Sequence, residues 1–245
     1  MEPTHHHLKL CTFEVCTRLG RHRRLGAYKE GRVLDLNFAT AWYLAQTGEP
    51  DPHLLANALV PPLMIGYLRS GLRASHTAEE LFLGSGPHPA EWWRSDPPPQ
   101  GSNGETLVYH DDSVRLLDLF GREPELPGPA ACEWELALVA AAGPGGASMP
   151  GGYTIVVRCG TRELAGPYLL TPNQIRQPAE LQWTACVNSQ EYASGETTLA
   201  LSVEKTALHP GEFRSTSVLG SATLRPGDVL EVEAGEMGAL RVAVV

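Results

Sequence analysis

Apolar and polar residues alternate most regularly over Leu181–Val187, where Leu181, Trp183, Ala185 and Val187 share one face. Such period-two alternation predicts a β-strand with one buried side. Leu8–Val15, Val114–Leu119, Glu133–Ala141 and Tyr153–Val157 also read as extended, as do Val229–Glu233 and Leu240–Val245. Leu25–Tyr28 and Val33–Leu36 flank Glu30-Gly31, the spacing of a β-hairpin. Helices fall in the first third. Asn37 is the expected cap of one that carries Phe38, Trp42 and Leu44 and ends at Gly48. Asp51-Pro52 supplies a cap and a first-turn proline for a second. A third runs from Pro62 to about Ser70 and closes at Gly71, and Thr77-Ala78-Glu79-Glu80 fits a capping box before Leu81-Phe82-Leu83. Helices followed by a strand-rich remainder predict an α+β protein.

Between Gly84 and Glu105 the pattern breaks. Pro87, Pro89, Pro97, Pro98 and Pro99 stand among Gly, Ser and Asn, a linker or long loop. The expected organisation is an N-terminal α/β domain over 1–83, this linker over 84–105, and a β-rich domain over 106–245. A chain of 245 residues with 42% apolar and 19% charged positions can bury an ample core. A net charge of −9, with no basic stripe interleaved with aromatics, argues against nucleic acid as a partner. Three lysines stand beside sixteen arginines, which together with abundant Ala, Gly and Pro suggests a GC-rich bacterial gene. Five cysteines without a CxxC pair read as buried, reduced thiols, and Cys11 and Cys16 lack partners at zinc-site spacing. With no signal peptide and no run long enough to span a bilayer, a cytoplasmic protein without membrane contact is expected.

The chemistry concentrates in Ala131-Cys132-Glu133-Trp134-Glu135-Leu136-Ala137. On a strand Glu133 and Glu135 point the same way, and two carboxylates side by side do not both stay ionised cheaply without a cation between them. A hard divalent metal answers that need, and so does an arginine. Other candidates have plainer readings. His5-His6-His7 reads as a polar terminus, Asp111-Asp112 as a solvated turn, and Trp92-Trp93 as rings tucked back onto the domain. No phosphate loop, dinucleotide fingerprint or Gly-x-Ser-x-Gly elbow is present.

Several segments, in order, resemble the fumarylacetoacetate hydrolase family. Leu8–Val15, Arg24–Ala27 and Val33–Asn37 look like its N-terminal domain, and Val114–Leu117 like its domain junction. Glu133-Trp134-Glu135-Leu136-Ala137 is similar to its acidic metal-binding strand, and Gly152–Ile155 to the strand that follows. Gly166–Pro172 resembles its GPxLVTP segment, Val187-Asn188-Ser189 its VNG turn, and Leu224–Val229 its LxPGDV turn. The resemblance implies a small N-terminal α/β domain followed by a mixed β-roll, here shortened, usually as a homodimer. It implies chemistry on small dicarbonyl acids, in which a divalent cation held by four carboxylates stabilises an enolate and a histidine near a glutamate supplies the base.

Position by position, most of that machinery is missing. Glu133 and Glu135 match two of the four metal ligands, but Arg158 stands where the family has a third, an aspartate. The segment expected to carry the first aspartate and the histidine is reduced to Phe120–Ala131, which contains neither. The active-site lysine segment is absent too, since Arg158 runs almost directly to Gly166-Pro167. The favoured reading is that Arg158 neutralises Glu133 and Glu135, with no cofactor required. A residual, weak Mg or Mn site on the two glutamates and a solvated pair on an exposed face stay open beside it. For function, the expectation is a pseudoenzyme that binds a protein partner or a small carbonyl ligand. A repurposed enzyme on a keto acid is the alternative, and a working metal-dependent hydrolase, decarboxylase or tautomerase is the least favoured.

Overall fold

The computed structural model describes residues 8–83, 100–101, 104–172, 179–199 and 208–245. Three strands, β1 (Lys9–Thr17), β2 (Gly20–Lys29) and β3 (Arg32–Asp35), open the chain as an antiparallel meander. Glu30 and Gly31 both take positive φ, 49° and 77°, the twist that a two-residue hairpin turn requires. Four helices follow: α1 (Leu36–Gln46), α2 (Pro52–Leu59), α3 (Met64–Ser70) and α4 (Leu72–Leu83). The remainder is almost entirely strands. They are β4 (Val108–His110), β5 (Arg115–Leu116), β6 (Glu125–Leu126), β7 (Ala130–Ala142), β8 (Ser148–Cys159), β9 (Arg162–Leu170), β10 (Ala179–Val187), β11 (Gln190–Leu199), β12 (Phe213–Ser215), β13 (Gly220–Leu224), β14 (Val229–Ala234) and β15 (Ala239–Val244).

Two sheets and a helical layer stack on one another. A ten-stranded sheet runs β12-β7-β8-β9-β1-β2-β3-β4, with β13 also on β7 and β5 also on β1. A five-stranded sheet runs β11-β10-β14-β15-β6, its last pairing parallel. Strand β7 explains the layering. Its Ala137, Val139 and Ala141 join a core with Leu68, Ala74 and Ala78 of the helices. Its Trp134, Leu136 and Leu138 join the core shared with Leu230, Val232 and Val242 of the smaller sheet. Successive residues of one strand thus serve two cores, as alternation demands. The expected α+β architecture is observed.

The sequence reading needs correction in four places. Asp35, not Asn37, caps α1: its carboxylate accepts from the Phe38 N–H at 2.9 Å. Asn37 is buried inside the helix, donating to Val60 O at 2.8 Å and to Asn57 at 3.0 Å. Thr77 lies within α4 and donates back to Arg73 O, so no new helix starts there. Of Val114–Leu119, only Arg115–Leu116 pairs as a strand. The cysteines are not all reduced buried thiols: Cys132 and Cys159 form a disulfide, and Cys16 is exposed. Their sequence separation of 27 hid the pairing, because the β7–β8 register sets them directly opposite with Cα atoms 4.2 Å apart. His5-His6-His7 and Trp92-Trp93 lie outside the described residues. No helix among the described residues is long and apolar enough to cross a membrane.

Two networks tie together segments that the resemblance picked out separately. Arg24 grips the fully buried Asp35 with two bonds, of 2.6 and 2.9 Å, and its guanidinium covers the Phe38 ring at 3.7 Å. Replacing Arg24 by Ala strands a buried carboxylate. The expected loss is about 3–5 kcal/mol in urea unfolding.

At the other end, Asn188 and Asp228 join two turns. Asn188 donates to Asp228 at 2.8 Å and accepts from the Val229 N–H at 2.9 Å, while Asp228 accepts from the Arg225 N–H. These donors hold the Asp228 carboxyl below the usual carboxylate range. A depressed folded value contributes stability above the ordinary pKa of about 3.9 and loses it as pH falls through the lower folded value. Asn188→Gly keeps the positive φ of 53° and removes the side chain. Its stability deficit in urea is expected to be constant above about pH 5 and to shrink on further acidification.

Candidate functional site

Glu133, Glu135 and Arg158 come together on the helix-facing side of the large sheet. Glu133 stands directly opposite Arg158 in the β7–β8 register, and Glu135 is its diagonal neighbour. On β9, Glu163 completes the row opposite Arg158. The guanidinium does not bond equally along this row. Its Nη1 pairs with Glu135 Oε1, and its Nε donates to Glu163 Oε2 at 2.6 Å. Ser215, on β12 at the edge of β7, donates to the same Glu135 oxygen at 2.7 Å and accepts from Arg158 Nη2 at 3.4 Å. Glu135 is 5% exposed, whereas Glu133 is exposed and pairs with Arg158 only through the strand register.

The structure places Arg158 beside both glutamates, bonded to Glu135 and set against Glu133 only by the strand register. Two members of the cluster, Glu163 and Ser215, escaped the sequence reading. Glu163 had a signal: a two-residue turn at Gly160-Thr161 sets Arg158 opposite Glu163. Ser215 had none, since it arrives from 80 residues beyond Glu135.

Nearby acids are already engaged. Asp118 lies two residues before Phe120. Its buried carboxylate accepts from the N–H groups of Phe120 and Arg122 and from the Arg122 side chain at 2.7 Å. It shapes that tight loop. Asp111 and Asp112 form a short turn after β4, where Asp111 accepts from the Tyr28 hydroxyl at 3.1 Å, away from the glutamates. Burial pushes the Cys11 thiol up, which makes it an inert core group. Beside the cluster a depression of ≈ 530 Å³ is lined by Glu133, Arg158, Tyr192, Ser221 and Thr223.

A divalent cation does not fit this donor set. Glu135 presents an oxygen already shared by a guanidinium and a hydroxyl, and a cation there would sit against the positive Arg158. Among the described residues no three His, Cys, Asp or Glu side chains converge as metal ligands.

The fold has solved counterparts. The maleylpyruvate hydrolase of Sphingobium sp. SYK-6 superposes with a TM-score of 0.59 at 17% identity, over 97% of this chain and 99% of that one. The fumarylacetoacetate hydrolase of the psychrophile Exiguobacterium antarcticum gives 0.60 at 15% identity, over 97% and 99%. The 2-hydroxyhepta-2,4-diene-1,7-dioate isomerase of Mycobacterium marinum gives 0.52 at 15%, over 97% and 98%. The Sphingobium enzyme is also known in complex with manganese(II) and pyruvate. No family model and no curated protein matches the sequence. The chain has the fold of the fumarylacetoacetate hydrolase family.

Because Glu135 is almost fully enclosed and Arg158 is about 40% exposed, their pair lies between surface and interior behaviour. Arg158→Ala is expected to lower stability by about 2 kcal/mol in chemical unfolding. Arg158→Lys should recover less than half of that, since a point charge cannot bridge Glu135, Glu163 and Ser215 at once.

Proposed function

We propose that this protein is a non-hydrolytic relative in fold of the fumarylacetoacetate hydrolases. On this reading, an arginine–carboxylate cluster takes the place of a metal centre, and the molecule acts as a binding scaffold. The observation that carries the reading is Arg158 bonded to both Glu135 and Glu163 and closed by Ser215. A guanidinium that gives one nitrogen to each of two carboxylates can neutralise them without a dication. The parent chemistry rests on a metal to hold the developing enolate, and losing a single electrostatic stabiliser of that kind costs about 3–4 kcal/mol of barrier. Several are missing together. The scaffold would present its ligand or protein partner with the depression beside Glu133, as a homodimer if it assembles as that family does.

A second reading draws on the same depression. Its Ser221 and Thr223 hydroxyls and the part-exposed Arg158 offer hydrogen bonds to a small keto acid, so a repurposed enzyme is the alternative.

Metal analysis of dialysed protein, and turnover of an acylpyruvate and of oxaloacetate with added Mg²⁺ or Mn²⁺, test the proposal. The expected result is substoichiometric metal and no saturable turnover. Stoichiometric manganese accompanied by turnover would refute it. Arg158→Asp supplies the sharper contrast. It removes a positive charge and adds a carboxylate beside Glu133 and Glu135, so Mn²⁺ binding measured by paramagnetic resonance should appear in the variant and be absent from the parent.

A further inference from the structure

A second cavity, of ≈ 580 Å³, lies in the corner where β15 meets β9 and the segment around β5. It is on the opposite side of the large sheet from the Arg158 cluster. Along β9, Leu169 packs into the helix-side core, while its neighbour Tyr168 joins Cys11, Phe13 and Val33 on the other face. The volume falls within the range of small-molecule sites, about 300–1,000 Å³.

The walls are mainly apolar: Leu116, Leu117, Pro167 and Leu240. Two aromatic rings complete them, Tyr28 and Tyr168, with centroids 4.7 Å apart and planes at 31°. Gly238 is needed for this arrangement, because a Cβ there would lie 2.8 Å from Tyr168 Cε2. Both hydroxyls are engaged within the chain, Tyr168 with Tyr28 and Tyr28 with Asp111 at 3.1 Å. Burial pushes both phenols up, so they keep their protons and remain neutral walls.

The lining carries one acid and one base. Glu125, the acid in the lining, is within 3.6 Å of Arg115. Arg241, also in the lining, stands opposite Glu231 in the β14–β15 register and has no carboxylate within 4.0 Å among the described residues. Lys9 adds a second positive charge, its Nζ 5.8 Å from the Tyr168 ring centroid. Apolar walls with planar rings favour a flat apolar body, and a free guanidinium favours a planar anion that it can grip bidentately. One guanidinium suits a carboxylate better than a doubly charged phosphate.

The geometry points to a binding site for a small aromatic monocarboxylate, its ring against Tyr28 and Tyr168 and its carboxylate on Arg241. The site is independent of the proposed role of Arg158.

The test uses the full chain with 4-fluorobenzoate as the probe, followed by fluorine NMR line broadening and by calorimetric titration. Saturable one-to-one binding is expected, weakened about tenfold by Arg241→Gln and similarly weak for 4-fluorobenzyl alcohol, which lacks the charge. Leu116→Trp, which fills the cavity, should abolish binding while leaving the thermal midpoint near that of the parent; Ala243→Leu serves if the tryptophan variant does not fold. Absence of saturable binding by the parent overturns the inference. So does binding that neither Arg241→Gln nor the filling variant alters. A concentration-dependent dimer that the filling variant dissociates, with no ligand binding, would assign the cavity to a second copy of the chain and equally overturn it.

Discussion

Strand β7 constrains most of this molecule. It pairs with β8 from Cys132 to Ala142 on one side, and with β12 and β13 on the other. A strand hydrogen-bonded on both edges cannot slip by one residue without turning every side chain to the wrong layer. Here that slip would move Trp134, Leu136 and Leu138 out of one core and Ala137 and Val139 out of the other. The size difference matters as well. Small residues face the close-lying helix α3, and large ones fill the space toward the five-stranded sheet. Because the register is fixed so firmly, the polar end of β7 is fixed with it, and Glu133 and Glu135 emerge beside Arg158.

The cluster that results is electrostatically closed where it is most buried. Glu135, deprived of water, meets a guanidinium and a hydroxyl, which offset the cost of burying its carboxylate. Glu133, one step further along the same face, is solvated. A metal centre needs several such oxygens with their lone pairs free and converging on one point. Here the Glu135 oxygen is already shared by Arg158 and Ser215. The two faces of the large sheet thus offer different chemistry: a polar cluster on the helix side, and an apolar, ring-lined cavity that carries Arg241 and Glu125 on the other.

Much of the fold was legible because its signals are local. The Glu30-Gly31 hairpin, the proline at the start of α2, the glycine that ends α3 and the clean alternation of β10 each depend on a few neighbouring residues. The failures share the opposite property. Asn37 is a good capping residue, yet Asp35 caps α1 because Arg24, on another strand, locks it in place. Thr77 looks like a helix start but is carried inside α4 by the packing of Ala74 and Ala78 against the core. The disulfide between Cys132 and Cys159 depends on a register that no spacing rule encodes.

What the sequence alone determined is the pairing of chemistry with periodicity: two carboxylates on one face of a strand, an arginine on the strand that follows, and turns that resemble a known fold. Those follow from side-chain type and from the two-residue repeat of a strand, both readable one residue at a time. Only the tertiary structure decided which carboxylate Arg158 bonds, that Glu163 and Ser215 close the cluster, and that Tyr28, Tyr168 and Arg241 meet at a cavity. Those outcomes depend on strands distant in the chain arriving at one place. Their approach is set by burying two cores at once, a collective requirement that no local pattern contains.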